Sequence, residues 1–541
     1  MGKKAILFTE DNSNLDNLAR YLVQNGWELI SGGETAEFLE KNSISVSQNL
    51  PIIDTMHVHE DFTNIFNLIM STYIPSNEDF NMLDNNDTDD REIAPLVCVN
   101  IVPQYEKLNA TNNISFISNK IDYKHISLIR AAAKNCQNVL ILTDPKDYSD
   151  TITKLKTDSV SNEFRLYLAT KALNLTAAYD ASISFSLSYA ASQTQLLDYF
   201  IVPYKKVKGA IRGINAHQNA FLYSLSEMQS AFSKFTKIQG EDIGLGDIKN
   251  NFAVQNVVSM FLKLLKKPFE VPSLDSFDNA YSTQFTPATN FVFTIGTKFC
   301  IPFGAAFGPD TATSFSKMVH CSPESVDGAV IGCSAIIDEK AAKEIIKTSI
   351  STIIAPEFNK EARKILSEKK SIRLIISSEL ATNNFEAASI DGGLLVQDSD
   401  CVLFKKWNVV TKTRPTQPQI DAMALGTMIS IFTKSISAII INDNTVIGIS
   451  SGQLTPKRAL SLAIEDAQEC LKNNLTSSDT NAEIVVSDDS IPFDDFIYKL
   501  PEIGVKAIIQ PGGSQTDNEL IEYCNEHEIS MIFTGMTHIN F

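Results

Sequence analysis

Hydrophobic and polar positions follow two rhythms along this chain. Residues 4–9 are a short apolar run that predicts a buried strand, and 15–25 repeat apolar positions at helical spacing. A second strand is predicted at 27–31, closed by Gly32 and Gly33, with another helix beginning at 35–40. Further along, 96–102 reads as a buried strand, 127–135 as a helix and 138–143 as a strand. Such alternation predicts a parallel sheet with helices on both faces. Residues 75–92 are rich in Asn and Asp and predict a loop. Residues 150–200 are mostly helical in pattern, with 164–191 the longest stretch.

From about 205 onward strands and helices mix again. A strand at 329–337, a helix at 339–347 and a strand at 352–355 are echoed by a strand at 437–449, a helix at 456–471 and a strand at 484–487. Two similar subdomains follow from that echo, and no short repeat indicates a solenoid. The expected organisation is an α/β domain over 1–150, a helical connector over 151–204, and subdomains over 205–400 and 401–541.

Composition narrows the function classes. A chain of 541 residues is too long for one core and suggests about three or four domains. With 44% hydrophobic and 20% charged residues it is globular rather than disordered. The net charge of −18 argues against a nucleic-acid or membrane-surface partner. No apolar run is long enough to span a bilayer, and the first residues read as a strand rather than a leader. The 8 cysteines are scattered without a CxxC, so neither a zinc cluster nor a disulfide framework is indicated, and a reduced, cytoplasmic protein is expected.

Several stretches carry a family resemblance. They are Trp27-Glu-Leu-Ile-Ser-Gly-Gly-Glu-Thr-Ala36, Leu128-Ile-Arg-Ala-Ala-Ala-Lys-Asn135, Asp144-Pro-Lys-Asp-Tyr148 and Thr176-Ala-Ala-Tyr-Asp-Ala181. Ile354-Ala-Pro356, Gly392-Gly-Leu-Leu-Val-Gln-Asp398, Ile508-Ile-Gln-Pro-Gly-Gly-Ser514 and Phe533-Thr-Gly535 follow in the same order. Together they resemble the PurH family along nearly the whole chain. The resemblance implies a methylglyoxal-synthase-like, Rossmann-type domain that closes the purine ring to IMP. It also implies two cytidine-deaminase-like α/β subdomains that move a formyl group from 10-formyltetrahydrofolate to AICAR. The ligands implied are a purine-nucleotide-like molecule and folate, without a metal, in a homodimer.

The ring-closing site departs from the family pattern. Ser31, Gly33, Thr35, Asn100, Asp122 and Lys134 match it. By resemblance, Asp122 and Lys134 are catalytic and the other four bind substrate. The family's basic Arg-Val-Lys-Thr segment falls where this chain has Asp54-Thr-Met-His-Val-His-Glu-Asp61, and no Lys or Arg occurs from Asn42 to Asp90. A phosphate dianion thus loses cationic contacts worth about 1.5–3 kcal/mol each. Glu10-Asp-Asn-Ser-Asn14 places carboxylates where an anion would dock, Val102 replaces a catalytic Tyr, and Lys124 and His125 replace two glycines after Asp122. The competing reading of Asp122 and Lys134 is a helix-end carboxylate and a solvated lysine. His57 and His59 have metal-ligand spacing, with Glu60 or Asp61 as further donors, or are plain loop histidines.

The formyl-transfer site is also changed. Gly213, Asn215, His217 and Gln218 match a family motif, although its Arg and Tyr positions hold Ile211 and Arg212. Lys298 remains from a catalytic Lys-His pair, whose His is Phe299. Ile436 replaces an Asn, and Pro456 replaces a substrate-binding Arg after Gly452 and Gln453. Asp488 is kept, its aromatic neighbours are not, and Thr537 replaces an Arg. The resemblance makes Lys298 and His217 catalytic and Asn215, Gln218, Gly452, Gln453 and Asp488 substrate-binding. His217 as a buried turn-capping histidine and Lys298 as a snorkelling surface lysine are the alternatives. Gly244-x-Gly246 lacks the context of a dinucleotide loop. Three readings compete: a PurH-like protein with impaired activity, a catalytically silent binding or regulatory partner, and an enzyme re-specialised for another ligand.

Overall fold

The computed structural model describes residues 3–50, 93–101, 114–119, 121–190, 198–202, 204–225, 235–266, 291–377, 385–400, 402–404, 407–472 and 483–541. Two compact units divide the chain, one of Met1–Val207 with Tyr223–Met228, the other of Lys208–Leu222 with Gln229–Phe541. Both are α/β.

In the first unit five parallel strands, β1 (Lys3–Thr9), β2 (Glu28–Gly32), β3 (Gln48–Leu50), β4 (Ile93–Asn100) and β5 (Leu140–Leu142), lie in the order β3-β2-β1-β4-β5. The helix Leu15–Gln24 buries Leu15, Leu18, Ala19 and Leu22, one stripe at helical spacing. It ends because Gly26 takes a φ of 76°, letting Gly26 and Trp27 N–H donate to Val23 and Leu22 carbonyls in a Schellman cap. Strand order reverses between β1 and β4, so the crevice for a ligand lies beyond their carboxyl ends, at Thr9 and Asn100.

The helix expected at 127–135 begins earlier, at Tyr123, because Asp122 caps it. The long helical stretch resolves into Tyr148–Lys156 and Asn162–Ala190. Among the described residues no helix is long and apolar enough to cross a membrane.

A hairpin of β6 (Tyr204–Arg212) and β7 (Asn219–Leu225) precedes a twelve-stranded sheet. One half of that sheet contains β8 (Thr236–Gln239), β9 (Val292–Lys298), β10 (Ile301–Gly308), β11 (Val330–Cys333), β12 (Thr352–Ala355) and β13 (Arg373–Ile376). A separate hairpin, β14 (Phe385–Ile390) with β15 (Gly393–Asp398), comes next. The other half contains β16 (Asn408–Val409), β17 (Ala438–Asn442), β18 (Thr445–Ser450), β19 (Ile484–Ser487), β20 (Ala507–Gln510) and β21 (Ser530–Phe533).

The order β16-β21-β20-β19-β17-β18-β10-β9-β11-β12-β13-β8 reads as the same six-strand pattern met from both edges. In each half a hairpin leads to a helix, Thr311–Cys321 or Pro456–Lys472, and then to three parallel strands. The stretch expected as one strand over 437–449 is therefore a hairpin. Asp443 and Asn444, at φ 42° and 58°, form its two-residue turn.

One face of the sheet is covered by the helices Leu245–Lys266 and Gln417–Ile431, whose apolar residues join Ile295, Phe307, Ile441 and Val486 in one core. The opposite face takes the hairpin-following helices. Gly448 lets the helix Pro456–Lys472 lie directly on β18; a Cβ there would sit 2.1 Å from the Ala463 carbonyl oxygen.

Candidate functional site

At the carboxyl end of the first sheet, the residues expected to bind substrate are engaged with the chain itself. Asn100 is buried; its Oδ1 accepts from the Glu10 and Asp11 N–H groups, both at 2.9 Å. Its Nδ2 donates to the Asp11 carbonyl at 2.9 Å and to the Tyr148 hydroxyl at 3.3 Å. Thr35 Oγ1 accepts from Thr9 N–H at 2.9 Å and donates to the Thr9 carbonyl at 3.0 Å. Ser31 Oγ donates to the Leu7 carbonyl at 2.8 Å. Gly33 opens the helix Gly33–Lys41 at φ 55°, and a Cβ there would meet nothing within 4 Å, so conformation rather than space favours glycine.

Asp122 is the N-cap of the helix Tyr123–Lys134, accepting from His125 N–H at 2.9 Å, and its other oxygen pairs with His125 Nδ1. Burial pushes its carboxyl pKa up, but the His125 bonds outweigh burial and hold it below the usual range. Lys134 is the exposed last residue of that helix. The helix separates the two by about 18 Å of rise, so the structure does not bring them together. The Asp144-Pro-Lys-Asp-Tyr148 stretch is a structural clip. Lys171 Nζ lies 2.8 Å from Asp144 and 2.7 Å from Asp147, while buried Tyr148 contacts Cys98 and Asn100. His57, His59, Glu60, Asp61 and Val102 lie outside the described residues.

In the second unit the matched residues fall at two places. Asn215, His217 and Gln218 form the turn of the β6–β7 hairpin. Gln218 N–H donates to the Asn215 carbonyl at 3.0 Å, and Gln218 Oε1 accepts from Asn215 N–H and Nδ2 at 3.2 and 3.0 Å. Gly213 is required there, since a Cβ would lie 2.4 Å from the Gln218 carbonyl oxygen. Arg212, in place of the family's Tyr, reaches Asp247 at 3.1 Å. His217 is exposed, which overturns its reading as a buried turn-capping histidine.

The second place is the twelve-stranded sheet, where Lys298 ends β9, Gly452 and Gln453 follow β18, and Asp488 follows β19. Lys298 is half-buried. Phe299 and Cys300 form the two-residue turn to β10, with φ of 54° and 66°. Asn250 Oδ1 holds that turn by accepting from Cys300 N–H at 2.5 Å. Phe299 is 78% exposed, so its ring contributes little to packing. Burial raises the Cys300 thiol pKa, while Lys249 and Lys434 pull it down. Both ammonium groups thus act electrostatically on the turn that follows Lys298.

The Lys434 carbonyl accepts from Gly452 N–H at 2.7 Å, and Ile436 and Gln453 exchange backbone hydrogen bonds at 3.0 Å each. The Ser435–Ile436 peptide is cis. Buried Asp488 accepts from Ser435 Oγ at 2.7 Å and Ser437 N–H at 2.8 Å, and burial raises its pKa despite those bonds. The C-terminal segment closes the arrangement. Asn540 N–H donates to Ser435 Oγ at 2.9 Å, and buried His538 faces Asp400 at 2.7 Å and the Leu403 carbonyl at 3.0 Å.

Sequence reading assigned no role to Lys249, Asn250, Lys434, Arg458 or His538, although Lys434 and His538 fall in family-matched stretches. Arg458 is the most legible in retrospect. Pro456 stands at the family's Arg position, and two residues on the Arg458 Nε donates to Gln453 Oε1 at 3.1 Å. Nothing local marks Lys249 or Asn250, which reach the turn only through the packing of their helix.

The family model for the AICARFT/IMPCHase bienzyme matches residues 132–466. The chain is 30% identical over 544 residues to the "Bifunctional purine biosynthesis protein PurH" of Clostridium kluyveri, covering 99% of each. The protein of the same name from Clostridium acetobutylicum is 30% identical over 550 residues, and that from Brachyspira hyodysenteriae 29% over 545, again covering 99% of each chain.

Proposed function

This chain belongs to the AICARFT/IMPCHase bienzyme family, and from that premise we propose that it is a purine-biosynthesis protein in which both reactions are impaired, ring closure more severely than formyl transfer. On this reading residues 1–150 are the methylglyoxal-synthase-like half, 151–204 the connector, and 205–400 and 401–541 the two cytidine-deaminase-like parts of the transformylase. The protein acts as a homodimer.

The observation that carries the reading is Phe299 in the turn after Lys298. Formyl transfer to an amine requires a proton to leave the nucleophile, and a phenyl ring exchanges none. General acid–base help is worth about 10²–10⁴-fold. The remaining residues still suit the ligands. Lys249, Lys298 and Lys434 form a cationic edge for an anionic ligand, a nucleotide phosphate or a folate carboxylate. Asp488 fixes the Ser435–Ser437 segment that faces Gln453. When bound, 10-formyltetrahydrofolate supplies the formyl group; Lys298 orients the reactants and bears charge at Nζ.

Ring closure fares worse. Asp122 is engaged by His125, and the loop whose backbone Asn100 holds at the crevice carries Glu10 and Asp11, two carboxylates next to where a phosphate dianion would bind. Assaying the two half-reactions separately on the purified chain tests the proposal. Formyl transfer is expected to be measurable but below the ordinary range of about 1–10³ per second. Ring closure is expected at the uncatalysed rate. Ordinary turnover in either reaction would sink this reading.

A further inference from the structure

The two halves of the twelve-stranded sheet meet where β10 runs antiparallel to β18. Corresponding elements face one another across such a twofold-like seam. The helices that follow the two hairpins are such a pair, and both pack on β18. Cys321 is the last residue of one, and Cys470 lies in the last turn of the other. Cys321 packs against the apolar cluster that contains Cys470, and the two thiols are close enough for each to perturb the other's ionisation. The same seam is bridged by Lys317 and Asp443 at 2.7 Å and by Phe307 N–H donating to the Asn444 carbonyl at 2.9 Å.

We propose that Cys321 and Cys470 form a reversible disulfide on exposure to hydrogen peroxide, stapling the two halves of the sheet across their seam. The neighbouring thiols act on each other unequally, easing thiolate formation at Cys470 and opposing it at Cys321. The Cys470 thiolate attacks one peroxide oxygen, the O–O bond breaks, and hydroxide leaves to take up the thiol's proton as water. The sulfenic acid so formed is attacked by the Cys321 sulfur, which gives up its proton as the S–S bond forms and a second water leaves. Two thiols are oxidised by two electrons and one peroxide is reduced to two waters. Cys321 is partly exposed and Cys470 is buried, so peroxide enters the pair from the Cys321 side.

The test treats the full-length chain with hydrogen peroxide, alkylates remaining thiols, digests, and identifies linked peptides by mass spectrometry. A peptide joining Cys321 to Cys470 is expected, with both losing alkylation together and recovering it after dithiothreitol. Cys321→Ser should abolish the link and leave Cys470 as a trapped sulfenic acid or free thiol. Oxidised wild type should also unfold at a higher temperature than reduced protein, a shift absent in Cys321→Ser. Both thiols staying alkylatable in wild type, or Cys321 pairing elsewhere, overturns the disulfide. A link without any thermal shift overturns the staple.

Discussion

Replacing Phe299 by His changes two quantities that can be measured apart. The first is stability. A side chain in the left-handed region costs roughly 1–2 kcal/mol, and Phe299 sits there at φ 54°. Histidine is several-fold enriched in that region, a relief of about 0.6–1 kcal/mol. The ring is 78% exposed, so losing its covered fifth forfeits only about 0.3–0.6 kcal/mol of the 1.5–3 available to a buried Phe. The net change is a gain of about 0–0.7 kcal/mol, so the fold serves as a nearly constant background. The second quantity is rate. A His beside Lys298 restores a group able to carry the proton, predicting a gain of about 10²–10⁴ in formyl transfer, or roughly 3–5 kcal/mol of barrier. The assay is kcat/KM for formyl transfer from pH 5 to 9, with thermal unfolding alongside. The variant should acquire a pH limb near the ordinary histidine value of about 6.5 that the wild type lacks. A folded Phe299→His protein with an unchanged melting point and a rate within threefold of wild type would refute the reasoning.

Three further outcomes follow from the packing and electrostatics. Gly448→Ala drives a Cβ to 2.1 Å from the Ala463 carbonyl, forcing the helix Pro456–Lys472 off β18. Overpacking of this kind costs about 1–3 kcal/mol, readable by urea unfolding. Cys98, Cys333 and Cys524 are pushed up to about 12 by burial, so they should resist iodoacetamide at pH 8 in the native protein and react on unfolding. Asp122→Ala removes an N-cap worth about 0.5–2 kcal/mol at neutral pH. Because His125 depresses the Asp122 pKa in the folded state, that stabilisation is present above the unfolded value of about 3.9 and is lost as pH falls through the folded one. The wild-type advantage over the variant should shrink below about pH 4 in acid titrations.

The α/β class was legible because β1 and β4 are continuous apolar runs and the helix Leu15–Gln24 keeps one apolar stripe. Residues 437–449 were harder. The turn at Asp443 and Asn444 is a hairpin signal only once both adopt positive φ, and the apolar run on either side hid it. At the sites, residue identity was legible but residue engagement was not. Asn100 and Thr35 match a ligand-binding pattern, yet their side chains tie β4 and the start of the helix Gly33–Lys41 to the end of β1. Asp122 shows the converse. The substitution of His125 for a glycine was visible in the sequence, but its capture of the carboxylate depends on where the helix starts. Lys249 acts on the Cys300 thiol from a distant helix, and long-range packing of that kind leaves no local trace, whereas Lys434 stood in a family-matched stretch.

Calorimetric titration of AICAR into the purified chain bears most directly on the claim that the second unit keeps its family ligand while its chemistry is slowed. Saturable binding is predicted, and Lys434→Ala should weaken it by about 10–100-fold if the ammonium makes one charge-assisted contact. Absence of any saturable heat at millimolar AICAR, with the protein folded, would contradict the account.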